Sequence, residues 1–596
     1  MSSLSQSGIA TNLKIQIKIL PKYMKLFILF FLYFSCCCNA FTQVSTNNRF
    51  SKKSNISSIS LTASHLENLT VLGKVWGYLK YYHPAVCGGK YDWDYELFKI
   101  MSKVLLSKNK AQCDKIIINW IDTLGIVEKG DYNKTDTSLI KIKPDYSWIK
   151  SPDIGKKLIS QLELIKNAKR PDISYYVSFD TAIPNPVFKN ENAYSELKYP
   201  DTGYRLLALF RYWNIIQYFY PYRNLIQWDS VLKEFIPKFI NASDETTYKL
   251  TILSLTSRIH DTHANVPEDK TLAKYKGTKS APFEIRFVEH KAVVTDYLDE
   301  YLGKKEYPGK GLELQKGDII EEINNKTIDF IIKERLLYTP ASNYTTQLRE
   351  IGRDLLRTRD SVIVIRFRRN NIARTVHVKC YPLSHINLFK RYQQRDTCFK
   401  MVAPGIAYIN PWTIKAVYIP AIMEMVSDTK GLILDLRNPP GDDILSIGDY
   451  LFHTPTTFVK ASKGNQEYPG LFTFFFKMTI GKQNANIYKG KTIILVNEDT
   501  QSTSEFHAMA FRAVPNSKII GSTTAAADGN VSDFYLPGGV MTSMSGLGIY
   551  YPDGRETQIT GILPDIECKP TVSGIIANRD ELIDKSIEII NKRNGI

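Results

Sequence analysis

Residues 500–505, with the sequence TQSTSE, place a serine immediately before a predicted helix. A continuous apolar run over residues 492–496 predicts a buried strand, and the helix is predicted over residues 505–514. Because open α/β sheets place their sites at the carboxyl ends of strands, Ser502 would lie where a substrate binds. The free amides and positive dipole end of the helix could hold an oxyanion, with Thr503 as one donor. This placement permits attack of the Ser502 hydroxyl on a carbonyl carbon.

The same segment also has a purely structural interpretation. Ser502 and Glu505 match S-x-x-E, the capping-box pattern, and most serines that precede helices serve only as caps. The segment alone therefore favours a cap, and a chemical role requires partners elsewhere in the chain.

One partner could come from the end of the neighbouring predicted strand. Residues 435–441, DLRNPPG, follow the apolar run of residues 431–436 and form a turn. The amide of Gly441 could be a second oxyanion donor, and two donors stabilise an oxyanion better than one. An ordinary strand-to-helix turn would need the same proline and glycine residues.

A second partner could come from residues 259–264, IHDTHA. A serine hydroxyl is a weak nucleophile unless a base removes its proton, which makes His263 the candidate base. A single histidine is more often structural than catalytic, so these residues alone leave both interpretations open. His260 and His263 form H-x-x-H without a third ligand at usable spacing, and we predict neither a metal site nor a cofactor.

The elements that would position these residues are α/β in character from residue 405 onward. The predicted strands span residues 405–410, 431–436 and 492–496, and the predicted helices span residues 414–426, 444–452 and 505–514. Strands that alternate with helices indicate a sheet covered by helices.

Two N-terminal segments share an aromatic signature. Trp76 and Pro84 are separated by the same interval as Trp213 and Pro221, and each pair leads to a Trp-Asp dipeptide. Both segments show helical apolar spacing, so duplication of a helical unit is the simplest account.

Residues 311–324, GLELQKGDIIEEIN, stand among alternating β-type runs. This string resembles a strand of PDZ domains, which bind a peptide by adding it to a sheet edge. A small β-rich spacer domain is the alternative interpretation.

Five short motifs together resemble the tail-specific, C-terminal processing peptidase family, including its tricorn-like and retinoid-binding relatives. They are DTH at residues 261–263, KGLILDLR at 430–437, NPPG at 438–441, QSTSE at 501–505 and GILPDI at 561–566. The resemblance implies a ClpP/crotonase-like core that hydrolyses peptide bonds. It places the nucleophile at Ser502, with Ser504 a poorer candidate, and the oxyanion donors at Gly441 and Thr503.

The chain departs from the processing peptidases at the base and at the third catalytic group. Those enzymes use a lysine downstream of the nucleophile, whereas no lysine lies between Lys518 and Lys569. The tricorn-like branch uses a histidine, which favours His263. A glutamate completes the site in that branch, and here Gln558 occupies its position, with Glu556 nearby.

The first forty residues contain no acidic residue, and residues 26–38 form an apolar run. This run is short for a membrane span but suits a signal peptide, so we expect export to the periplasm or beyond. Met24 rather than Met1 could be the true start. A lipid anchor on one of the cysteines at residues 36–38 is a weaker alternative.

Composition narrows the function classes further. With 43% apolar and 23% charged residues, the 596-residue chain has the composition of a packed globular protein. A net charge of +17 without a long basic run indicates a lysine-rich surface and argues against nucleic-acid binding, while membrane-surface association stays compatible. Five scattered cysteines after the signal argue against a disulfide framework.

The predicted division of the chain is residues 1–40 signal peptide, 41–63 linker, 64–170 N-terminal helical domain, 171–203 connector, 204–278 second helical unit, 279–382 PDZ-like domain and 383–596 α/β core. The predicted function is an exported serine endopeptidase that acts on peptides or unfolded protein tails. One rival is an inactive protein on the same fold that binds peptides or apolar ligands. An esterase of the α/β-hydrolase type is the other rival, and the absence of G-x-S-x-G opposes it.

Overall fold

The computed structural model describes residues 50–130, 136–267, 269–298, 314–393 and 397–592. The predicted signal peptide lies outside the described residues, as do residues 41–49 of the predicted linker. No helix in the described ranges is both long and apolar enough to cross a membrane.

The helices are α1 (Ala63–Tyr82), α2 (Pro84–Cys87), α3 (Trp93–Leu105), α4 (Lys110–Asp122), α5 (Lys156–Lys166), α6 (Thr202–Phe219), α7 (Asp229–Asn241), α8 (Glu245–Thr256), α9 (Lys270–Lys276), α10 (Ile328–Leu336), α11 (Tyr344–Asp354), α12 (Ile419–Val426), α13 (Thr503–Arg512), α14 (Val572–Ile576) and α15 (Glu581–Asn591).

The strands are β1 (Ile140–Ile142), β2 (Val177–Phe179), β3 (Pro186–Phe188), β4 (Lys279–Ser280), β5 (Phe283–Val288), β6 (Lys291–Tyr297), β7 (Ile319–Ile323), β8 (Lys326–Thr327), β9 (Arg357–Thr358), β10 (Val362–Arg369), β11 (Ile372–Lys379), β12 (Tyr381–Pro382), β13 (Phe399–Ala403), β14 (Ile406–Ile409), β15 (Gly431–Asp435), β16 (Thr456–Gly464), β17 (Phe472–Ile480), β18 (Lys491–Val496), β19 (Ser517–Gly521), β20 (Val531–Leu536), β21 (Val540–Ser545), β22 (Gly548–Tyr550) and β23 (Ile566–Glu567).

A six-stranded sheet in the order β13-β14-β15-β18-β19-β23 lies at the centre of the C-terminal region. Strands β14, β15, β18, β19 and β23 are parallel, and β13 is antiparallel to β14. β14 and β15 are buried along their whole length because parallel strands are covered on both faces. The predicted α/β core is confirmed.

Two helix predictions in this core were wrong in extent. Residues 414–426 form a 3₁₀ turn followed by α12, which begins at Ile419 because Pro420 fits only the first turn of a helix. Residues 444–452 contain only a 3₁₀ helix over Leu445–Tyr450. The buried Gly448 lies within this 3₁₀ helix, so close to Ile480 that a Cβ atom would come within 2.3 Å of it.

The two N-terminal helical segments repeat a hydrogen-bond pattern as well as a sequence pattern. Trp76 and Trp93 each donate their indole N–H to the other's carbonyl at 3.0 Å. Trp213 and Trp228 form the same reciprocal pair at 3.1 and 3.0 Å.

One apolar core contains both helical segments together with Phe534, Leu536 and Tyr550 of β20 and β22. In addition, β1 joins β17, β16 and β22 in one sheet. The N-terminal helices are therefore packed onto part of the C-terminal region.

The inserted segment before the core contains the sheet β11-β10-β7-β6-β5, in which β5 is an edge strand. Helix α11 packs against β5. Gly352 permits this contact, since a Cβ atom there would lie 2.9 Å from the carbonyl oxygen of Ile285.

A buried ionic cluster joins the first helical segment to the second. Arg211 on α6 pairs with Asp94 at 2.6 Å and with Glu191 at 2.8 Å, and Lys80 on α1 pairs with Glu191 at 2.6 Å. All four side chains are more than nine-tenths buried. Each buried charge is therefore stabilised by its ion-pair partners rather than by water.

The substitution Arg211→Met should destabilise the protein by about 3–5 kcal/mol, because Asp94 would lose its cation while still buried. The control is Lys238→Met, which removes an exposed pair with Glu234 and should cost less than about 1 kcal/mol. Thermal unfolding midpoints measure the difference. Equal midpoints for the two variants would contradict the assigned role of the cluster.

Candidate active site

Ser502 is the N-cap residue of α13 and ends the loop that follows β18. Its backbone has φ +56° and ψ −119°, a left-handed conformation that a residue with a Cβ atom rarely adopts. Such a conformation costs about 1–3 kcal/mol and persists only where surrounding contacts impose it. A strained strand-to-helix turn is also how other hydrolases present a nucleophilic serine.

The buried carboxylate of Glu505 supplies those contacts. It accepts hydrogen bonds from the Ser502 amide at 3.2 Å, from the Ala526 and Ala527 amides at 2.9 Å each, and from the Thr524 hydroxyl. The bond from Ser502 is one half of the predicted capping box. Glu505 thereby attaches the serine turn to residues 524–527.

Residues 525–527 also contact the loop that carries the candidate base. The Thr262 hydroxyl donates to the Ala525 carbonyl at 2.7 Å, and the Ser502 amide donates to the Ala527 carbonyl at 2.9 Å. The serine turn and the histidine loop, which are far apart in sequence, therefore meet on the same three-residue segment.

A hydrogen-bonded chain orients the ring of His263. The Ser545 hydroxyl lies 3.0 Å from His263 Nδ1 and 3.0 Å from Asp261 Oδ1. Because the hydroxyl has one proton, which it donates to the carboxylate, it accepts from Nδ1–H. This assignment leaves Nε2 of His263 as a proton acceptor.

The sequence assigned no role to Asp261 or Ser545, although Asp261 belongs to the DTH motif. Asp261 is fully buried and also accepts from the amides of His263 at 3.0 Å and Ser545 at 2.6 Å. Its position two residues before His263 was the available signal. Ser545 had none, because nothing in its local sequence relates it to the histidine loop.

Burial lowers the pKa of His263 from its ordinary value of 6.5, and the charge of Asp261 offsets part of this effect. The ring is therefore neutral at neutral pH and able to accept a proton.

The predicted third member, Gln558, contacts the histidine loop at its main chain. Its Nε2 donates to the His260 carbonyl at 3.1 Å, to the Ser342 hydroxyl at 3.2 Å and to the Tyr220 hydroxyl at 3.3 Å. Glu556 instead pairs with Lys141 at 2.7 Å. Of the two, Gln558 is the residue that supports the loop.

The two predicted oxyanion donors differ in whether the amide is free to bind an oxyanion. The Thr503 amide occupies the first position of α13 and has no hydrogen-bond partner within the described ranges. The Gly441 amide donates to the Pro411 carbonyl at 2.9 Å and is occupied. Ser504 is buried and donates to the Asn438 carbonyl at 3.2 Å, which removes it as a competing nucleophile.

A cavity of about 340 Å³ lies beside Ser502. Most of its wall is apolar and includes Phe475, Phe506 and Ile549, and its polar residues include Ser502, Thr503 and Asp528. His263 is not among the residues that line it. The structure thus places Ser502 on an open apolar cavity, and the histidine loop contacts the 525–527 segment through Thr262.

Two arginines of the inserted domain bind residues that precede Ser502 in the sequence. Arg286 pairs with Glu498 at 2.6 Å. Arg349 donates to the Glu498 carbonyl at 2.7 Å and to Gln501 Oε1 at 2.9 Å. The position of the serine turn is therefore coupled to β5 and α11.

No group of three or more His, Cys, Asp or Glu side chains in the described part of the chain is arranged to hold a metal ion.

The reactivity of Ser502 toward an organophosphonate should be constant near neutral pH and should fall only in solutions more acidic than about pH 6.5. The physical reason is that His263, whose pKa is lowered, stays neutral at any pH above this value. His263→Ala should slow labelling by about 10²–10⁴-fold. The exposed His453 offers the control substitution His453→Ala, and an unchanged profile for His263→Ala would contradict the assignment.

Comparison with known proteins bears on this geometry. The model of peptidase family S41 matches residues 406–568, which include Ser502 and Gly441. A CPAF mutant structure aligns with 14% identity and a TM-score of 0.52, covering 66% of this chain and 99% of that one. Mature CPAF complexed with lactacystin aligns with 12% identity and a TM-score of 0.50, covering 65% and 98%. At this identity the structures show the shared fold.

No curated protein matches the sequence of this chain. The family model nevertheless matches the segment in which the parallel sheet, the strained serine and the glycine turn lie together. Residues 406–568 therefore form a domain of peptidase family S41, and the chain is a serine-type hydrolase.

Proposed function

We propose that the chain is an exported endopeptidase that cleaves peptides or unfolded protein tails through an acyl-enzyme on Ser502, with His263 as base. The observation that carries this proposal is the junction at residues 525–527, which binds the serine turn on one side and the histidine loop on the other.

The chemistry follows the usual order for serine hydrolysis. Ser502 Oγ attacks the carbonyl carbon of the peptide bond while its proton passes to His263 Nε2. The Thr503 amide stabilises the oxyanion. The Gly441 amide becomes a second donor when its hydrogen bond to the Pro411 carbonyl breaks. His263 then gives the proton to the departing amine, and water hydrolyses the acyl-enzyme by the same path.

Two further parts of the chain would guide the substrate. The inserted sheet would act as a PDZ-like domain, with the edge strand β5 presenting peptide ends next to the serine turn. The two helical segments, each with its reciprocal tryptophan pair, would be a duplication that narrows access to the cleft.

The apolar run at residues 26–38 supports export as a signal peptide, to the periplasm or beyond. The net charge of +17 is compatible with association at anionic membrane surfaces.

A second candidate is an inactive protein that binds peptides or apolar ligands in the cavity beside Ser502. Two observations favour it: the Gly441 amide is bonded to Pro411, and a glutamine stands at position 558.

Covalent labelling with a fluorophosphonate separates the candidates. Ser502→Ala should abolish labelling because, among the described serines and threonines, Ser502 alone has a positive φ, and it precedes the free amide of Thr503. The control Ser160→Ala changes an exposed helix serine and should label like the wild type. Labelling that persists in Ser502→Ala would refute the nucleophile, and labelling without cleavage of any peptide in a library would favour the binding protein.

A further inference from the structure

Asp528 is a buried acid beside Ser502 that the proposed chemistry does not use. It is 8% exposed and lines the same cavity as Ser502. Neither of its carboxylate oxygens has a hydrogen-bond partner within the described residues. A buried carboxyl group without partners is costly, and the cost is far larger for the charged form.

Glu505 is the charged group that acts on Asp528. Two other titratable groups interact electrostatically with Asp528. They are Tyr222, which follows α6, and Tyr551, which follows β22. Within the described ranges, no cation lowers the pKa of Asp528. Its ionised form would therefore be an unpaired negative charge next to another one.

The two acids differ sharply in their hydrogen bonds. Burial raises the pKa of Glu505 from its ordinary value of 4.5, but three amides and one hydroxyl donate to it, and each of these donors stabilises the carboxylate. Burial raises the pKa of Asp528 well above its ordinary value of 3.8, and the charge of Glu505 raises it further. Of the two buried acids, Asp528 therefore keeps a proton when Glu505 has lost its own.

We propose that Asp528 is a positioning residue that holds a proton beside Ser502, and that loss of this proton switches the peptidase off in alkaline solution. A second negative charge would repel the Glu505 carboxylate, which holds the strained serine turn. It would also oppose the oxyanion that forms on the substrate. The inference rests on the proposed function, since it assumes that Ser502 is the nucleophile.

The first test compares the pH profiles of kcat/KM for a cleaved peptide, each scaled to its own maximum. The wild type should lose about tenfold per pH unit beyond an alkaline inflection. Asp528→Asn, which is always neutral, should lack this decline. The control is Asp533→Asn, which removes an acid with a raised pKa outside the cavity and should follow the wild type. An alkaline decline in Asp528→Asn equal to that of the wild type would overturn the proposal.

The second test measures thermal unfolding midpoints against pH and does not require activity. A raised pKa in the folded protein gives stability that is present below the unfolded pKa of about 3.9 and is lost as the pH rises toward the folded pKa. The midpoint of Asp528→Asn should therefore exceed that of the wild type by an amount that grows with pH. A difference that does not change with pH would overturn the proposal.

The two proposals can fail separately. If Ser502→Ala still cleaves the peptide, the proposed function fails, whereas the unfolding data still decide whether Asp528 holds a proton. If Ser502 is required and Asp528→Asn keeps the alkaline decline, the present inference alone fails.

Discussion

The buried carboxylate of Glu505 is the interaction on which the rest of the site depends. Ser502 has a backbone conformation that is unfavourable by itself, and the energy that keeps it there must come from neighbouring contacts. Glu505 provides them by accepting from the Ser502 amide and from the amides of residues 526 and 527. Because this carboxylate is inside the protein, its hydrogen bonds are stronger than those of an exposed acid.

The same carboxylate explains how distant segments of the chain converge. By fixing residues 524–527 against α13, it creates a surface to which Thr262 is bonded. His263 follows in sequence, and Asp261 and Ser545 orient its ring. The inserted domain reaches the other side of the serine turn through Arg286 and Arg349.

The sequence predicted those features that depend on local pattern. Apolar runs predicted the parallel strands because such strands are buried on both faces, and the S-x-x-E pattern located the start of α13. The helix predicted at residues 444–452 was wrong because Gly448 packs against a strand and leaves only a 3₁₀ helix.

Other features depend on long-range contacts and could not be predicted. The Ser545 hydroxyl finds Asp261 only in the folded chain, and the bond from Gly441 to Pro411 depends on how two loops pack. The unpartnered state of Asp528 is likewise a property of its surroundings, since an aspartate before a glycine is ordinarily a turn residue. The helical segments share a core with β20 and β22, a contact that no local spacing encodes.

A crystal structure of the protein after reaction with an organophosphonate would test the central claim most directly, because it fixes the reacting atom and its neighbours together. We predict a phosphorus atom bonded to Ser502 Oγ, a phosphoryl oxygen within hydrogen-bond distance of the Thr503 amide, and the Glu505 carboxylate still bonded to the Ser502 amide. An adduct on another side chain, or a phosphoryl oxygen directed away from the start of α13, would contradict the account.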